Sequence, residues 1–222
     1  DKNGNHIDNR PISWMSDCGN ISDSGTWTPV QVGTCMVTAH WNELHSSINV
    51  TAVPGTPAVL VIPSGLTVRS GESISVNPVL QDSWGNEIPL SEAGTLFWSI
   101  GSGSVTSANQ FLADEPGTWT LNVTSSSGAT GSTSITVQPA AISGLELIGP
   151  SGSVKADQEV EFLVLRTDVF GHITNETVPL SNWVVEDGSL KMSGNSTIWT
   201  PNQVGIWNIS VSLDGYSDSV MV

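Results

Sequence analysis

One ordered motif recurs three times along the 222-residue chain, and no other feature of the sequence restricts its fold so tightly. The second copy reads Asp82-x-x-Gly85-Asn86-x-Ile88, then Trp98, Gly103, Phe111, Gly117-Thr118-Trp119 and the alternating Leu121 and Val123. The third reads Asp168-x-x-Gly171-His172-Ile173, then Trp183, Gly188, Trp199-Thr200-Pro201, Gly205-Ile206-Trp207, Ile209 and Val211. The chain opens with the same order: Asp1-x-x-Gly4-Asn5-x-Ile7, Trp14, Gly19, Trp27-Thr28-Pro29, Gly33-Thr34-Cys35 and Val37. Gly4 and Gly85 are 81 residues apart, and Gly85 and Gly171 are 86 apart. A solenoid repeats every 20 to 50 residues or so, so this period belongs to a whole domain.

Within a copy the local pattern is that of strands. Trp119, Leu121 and Val123 alternate with polar residues, as do Ile135 and Val137, which is the period of a half-buried antiparallel strand. Turn signals such as Trp84-Gly85-Asn86, Ser127-Gly128 and Asp214-Gly215 punctuate the chain at close intervals, and no long window carries a helical stripe. The expectation is an all-β chain of three sandwiches, over residues 1–53, 54–139 and 140–222. The linkers Val53-Pro54-Gly55-Thr56-Pro57 and Gln138-Pro139-Ala140-Ala141 are short and contain proline, so the copies should be joined semi-rigidly.

This run of motifs resembles the bacterial and archaeal immunoglobulin-like (Big) domains of invasin/intimin-type surface proteins. The resemblance implies tandem immunoglobulin-like β-sandwiches in an extracellular or cell-surface protein, with a structural or adhesive role and no catalytic residue. The first copy matches only from its turn Asp onward. Everything equivalent to Val59–Gln81 is absent from it, so an N-terminally incomplete first domain is expected, either cut through or completed by a strand from another molecule.

Charge narrows the function classes. Six Lys and Arg against 21 Asp and Glu give a net charge of -15, which argues against nucleic acid and anionic membranes as partners. No apolar run is long enough to span a bilayer. The motifs GxSxG, HExxH and CxxC are absent, and no cofactor is expected. His6, His40, His45 and His172 show no ligand spacing, and no metal is expected. Asp1–Asp8 has oxygen ligands at alternate positions but lacks the closing carboxylate of a calcium loop, so it reads as a hairpin turn.

Four sets of residues stand out. Cys18 lies four residues after Trp14 and Cys35 replaces the inward Trp119 and Trp207, so both thiols should meet in one core as a disulfide. The other tryptophans of the motif are expected in the cores. Trp84 and its counterpart Phe170 sit at turn tips, where they should seal contacts between copies or meet a ligand. Six sequons, at Asn20, Asn49, Asn122, Asn175, Asn195 and Asn208, are candidate glycosylation sites. The expected role is a non-catalytic stalk or spacer whose partners are neighbouring domains and a surface glycan or another surface protein. The alternative is an accessory glycan-binding module of a larger secreted protein.

Overall fold

A computed structural model describes residues 3–5 and 11–222. Asp1, His6, Ile7 and Asp8, and with them the hairpin expected at the start of the chain, lie outside the described residues. The architecture is all-β, and contacts divide the chain into two units. One extends to Ile62 and takes in Pro78–Trp98 and Asn122–Ser132; the other comprises Pro63–Asn77, Ser99–Leu121 and Thr133–Val222.

The first copy supplies β1 (Ser13–Ser16), β2 (Gly19–Ile21), β3 (Trp27–Pro29), β4 (Gly33–Trp41) and β5 (Leu44–Ala52). They form a β1-β4-β5 sheet and a β2-β3 ribbon, all antiparallel. Its core is small: Cys18, Cys35 and Ala52, with Trp27 packed against them. Among the described residues no strand pairs with the outer edge of β5, and Leu44 and Ile48 on that strand are exposed.

The second copy runs through β6 (Val59–Val61), β7 (Leu66–Arg69), β8 (Ser73–Ser75), β9 (Val79–Gln81), β10 (Glu87–Ile88), β11 (Leu96–Ser99), β12 (Ser104–Val105), β13 (Gln110–Leu112), β14 (Gly117–Ser125) and β15 (Thr130–Gln138). One sheet has the order β10-β9-β6-β15-β14-β11, with β7 running parallel to β15; the other is β12-β13-β8. Strands β14 and β15 each contribute residues to both units. The alternation read in the sequence is the burial pattern: Leu121, Val123, Ile135 and Val137 are buried and the residues between them are exposed or half-buried, apart from the buried Ser125 at the end of β14.

The third copy supplies β16 (Ile142–Ile148), β17 (Val160–Asp168), β18 (Ile173–Glu176), β19 (Trp183–Val185), β20 (Ser189–Ser193), β21 (Ser196–Thr200), β22 (Asn208–Leu213) and β23 (Tyr216–Met221). Its sheets are β16-β17-β21-β20 and β19-β22-β23. Strand β18 adds to the first sheet by pairing with β17; with it set aside, the remaining seven strands in chain order give the ABED and CFG sheets of an immunoglobulin-like sandwich. Phe162 fills the core between them, edge-on to Trp183 and to Trp199, with ring centroids 6.3 Å apart in both pairs.

The motif glycine before the aromatic has a steric origin in every copy, although the aromatic follows it by eight residues in the first two and by eleven in the third. A Cβ on Gly19, Gly103 or Gly188 would stand 2.5, 2.5 or 2.2 Å from the carbonyl oxygen of Thr28, Leu112 or Thr200. Each of those residues directly follows Trp27, Phe111 or Trp199, so only glycine lets the chain pass beneath the ring in all three copies.

One expectation needs correction. Of the motif tryptophans Trp183 and Trp199 are buried, whereas Trp14, Trp27, Trp98, Trp119 and Trp207 are half-buried, Trp27 and Trp207 packing against the cores of their copies. The indole N–H groups of Trp119 and Trp207 each donate to a carbonyl four residues upstream, Glu115 or Gln203, so they close the entry to β14 and the approach to β22. Among the described residues two 3₁₀ turns, Leu90–Ala93 and Leu180–Asn182, interrupt the strands without altering the all-β class, each following a proline whose fixed φ starts the turn.

Candidate functional site

The site is built on the repeated Asp-x-x-Gly turn and on the linker that precedes it. In the second copy Asp82 ends the strand region of β9 and its own N–H donates to the Asn86 carbonyl at 3.0 Å. Gly85 closes the turn with φ +84°, a left-handed conformation that glycine adopts without cost. The Asp82 side chain then takes up the N–H groups that the turn leaves over. It accepts from Trp84 N and Asn86 N at 2.9 Å and from the Asn86 side-chain amide at 2.9 Å. It also accepts from Gly55 N at 2.8 Å, which ties the linker to the turn. The Asn86 amide, followed by the Gly55 N–H, holds the carboxyl down at about 2, against the opposing effect of burial.

The third copy repeats this geometry with different side chains. Asp168 accepts from Phe170 N at 2.9 Å, His172 N at 3.0 Å and the His172 Nδ1 at 3.1 Å. Oδ2, the oxygen that faces His172 Nδ1, also accepts from Ala140 N at 3.1 Å, in the second linker. Burial works to raise the pKa of Asp168, but the hydrogen bonds, led by that from Ala140, outweigh it and leave the carboxyl below its ordinary range. Two of the chain's three arginines also hold this linker. Arg69 donates to the Pro139 carbonyl at 3.4 Å, and Arg166 donates to that of Ala140.

The turn tips diverge. Phe170 lies over Gly71, where an added Cβ would meet its ring at 2.4 Å. Beside it, His172 lies 3.2 Å from the Ser70 hydroxyl and 3.8 Å from the Asp114 carboxylate. Among the described residues none makes such a contact with the Trp84 ring, which is 86% exposed. It borders a cavity of about 370 Å³ lined also by Asn20, Thr28, Val30, Gln31 and Asn86.

The remaining candidates are placed as follows. Cys18 and Cys35 are disulfide-bonded, with Cα atoms 5.7 Å apart. Asp17 lies within 4.8 Å of both, the one such cluster of three metal-ligating side chains among the described residues, but its two sulfurs are committed to the disulfide. Asn20, Asn49, Asn122, Asn175 and Asn195 are exposed and Asn208 is half-buried. His40 and His45, which the sequence spacing left unconnected, face each other across the β4–β5 hairpin with ring centroids 5.8 Å apart. The linker clasps were not read from the sequence; Gly55 is 27 residues from Asp82 and Ala140 is 28 from Asp168. The one available signal was the recurrence of an Asp where many polar residues would serve the turn.

No family model and no curated protein matches the chain. Among solved structures it is similar to domains 4–9 of the surface layer protein SbsC, at 16% identity over 100% of this chain and 40% of that one, with a TM-score of 0.32. It is also similar to extracellular cadherin domains 1–4 of protocadherin gamma B7, at 12% identity over 97% of this chain and 64% of that one, with a TM-score of 0.33. A third is Dpr2 Ig1-Ig2 in complex with DIP-Theta Ig1-Ig3, at 11% identity over 86% and 72%, with a TM-score of 0.35. The chain spans about two fifths of the surface-layer structure.

Proposed function

We propose that this chain is a non-catalytic spacer segment of an extracellular or cell-surface protein, in which tandem immunoglobulin-like sandwiches of the prokaryotic Big type are joined by restrained linkers. The observation that carries the reading is the carboxylate clasp found twice, Asp82 on Gly55 and Asp168 on Ala140. Each clasp fixes the linker to the copy that follows it. Strand β5 ends at Ala52 and β15 at Gln138, so only Val53 and Pro54 stand unclasped before the first clasp and only Pro139 before the second. Proline removes one backbone rotation in each case. A chain built to swing freely would place glycine and serine there and leave them unbonded.

The Cys18–Cys35 disulfide supports the extracellular assignment, because such bonds persist in oxidising compartments. The boundaries 1–53, 54–139 and 140–222 follow from the two linkers. The experiment is a distance distribution by electron spin resonance between nitroxides at the exposed Glu43 and Asp214. A spacer gives one narrow distribution, and a broad one overturns the reading.

A further inference from the structure

We propose that the groove beside Trp84 is a binding site for an uncharged sugar, with the indole as the stacking platform. This goes beyond the spacer reading and does not depend on it. A large aromatic ring exposed at 86% on a tight turn has no packing role to explain it. Its backbone N–H is held by the Asp82 carboxylate, so the turn that carries the indole is fixed before any ligand arrives.

Facing it, the β2–β3 ribbon places Asn20 directly opposite Thr28 in the ladder, and Gln31 follows two residues beyond β3. Among the described residues no hydrogen bond engages the side chains of Asn20, Thr28 or Gln31. They therefore present two amides and a hydroxyl, each both donor and acceptor, to whatever enters. Val30, exposed at 63%, supplies an apolar wall.

The charge of the lining selects the ligand class. It holds no Lys, Arg or His, and its one carboxylate, Asp82, is already the acceptor of four N–H donors. A phosphate, sulfate or uronic acid would find no counter-charge here, and the net charge of -15 repels it at longer range. A cation would find no free carboxylate. A pyranose ring has what remains: an apolar face of C–H bonds for the indole and a rim of hydroxyls for the amides. About 370 Å³ holds one or two such rings. The Phe170 counterpart lacks this combination. Its ring lies over Gly71, and the side chains beside it include the Asp114 carboxylate and the His172 imidazole.

The test uses the full chain produced without N-glycosylation, so that Asn20 is bare. It is titrated with neutral oligosaccharides of glucose, mannose, galactose and N-acetylglucosamine, and with a polygalacturonate oligomer as the charged control. Tryptophan fluorescence and backbone amide NMR shifts report binding. The expected result is millimolar or tighter binding of at least one neutral sugar, with shifts at Asn20, Gln31 and Asn86. Trp84→Ala weakens it at least tenfold while leaving the thermal midpoint unchanged, Trp84→Phe retains part of it, and Phe170→Ala has no effect. The proposal is overturned if no neutral sugar binds at millimolar concentration, if only the charged oligomer binds, or if Trp84→Ala binds as the parent does.

Discussion

The turns at Asp82 and Asp168 share a backbone and differ in what they present. In both, one carboxylate accepts the N–H groups of the residues two and four further on and an N–H of the preceding linker. The aspartate and glycine define that scaffold. The residue just before the glycine and the one just after it define its use. Trp84 and Asn86 leave an open groove with an exposed ring. Phe170 and His172 engage Gly71, Ser70 and Asp114. A repeated turn can thus keep its linker clasp in both of these copies while its tip is free to diverge.

The largest effect is expected from breaking the scaffold itself. Asp168→Asn removes the charge and half of the accepting capacity of a buried group, leaving N–H donors short of a partner. It should cost about 2–3 kcal/mol in denaturant unfolding. Asp82→Asn should act in the same direction on its own copy.

Acid probes the same two groups without mutation. Both carboxyls titrate below their ordinary value, 3.8 in each case, so the stability they contribute is complete above about pH 4 and is lost as pH falls. The Asp82 contribution declines below about pH 4 and is largely gone by about pH 2, its folded pKa. Thermal midpoints measured from pH 5 to 2 should fall for the parent, and the double Asp→Asn variant should fall less steeply.

Gly71→Ala tests the feature that separates the turns. It strains a position at φ +79° and drives a Cβ into the Phe170 ring, so a loss of about 1–2 kcal/mol is expected. Adding Phe170→Ala should recover the steric part, and that coupling in a double-mutant cycle measures the contact. The smallest effect is expected from His172→Asn, which gives the third turn the side chain of the second. The new amide can reach the Asp168 oxygen as Asn86 reaches that of Asp82, so the clasp should survive. Stability should change by less than about 1 kcal/mol, reflecting only the loss of Ser70 and Asp114 as neighbours.

The strands of this fold were legible because burial alternates with period two, as at Trp119–Val123, and because punctuation separates them. The fold class followed from the threefold motif. What escaped was set by distance or by length. Asp82 could be read as a turn residue, but its bond to Gly55 exists only once the chain has returned. The turns after Pro89 and Pro179 are too short to show a period. Trp119 and Trp207 share the alternation of their strands, yet they stand at the strand entries, where their N–H groups find carbonyls. His40 and His45 meet because the β4–β5 register pairs them, which their spacing alone does not reveal.

The claim that the linkers are clasped is tested most directly by ¹⁵N relaxation of Gly55 and Ala140. Their order parameters should match those of the strands, near 0.85, and should fall in Asp82→Asn and Asp168→Asn respectively. Values below about 0.6 in the parent protein, or values that the substitutions leave unchanged, would contradict the account.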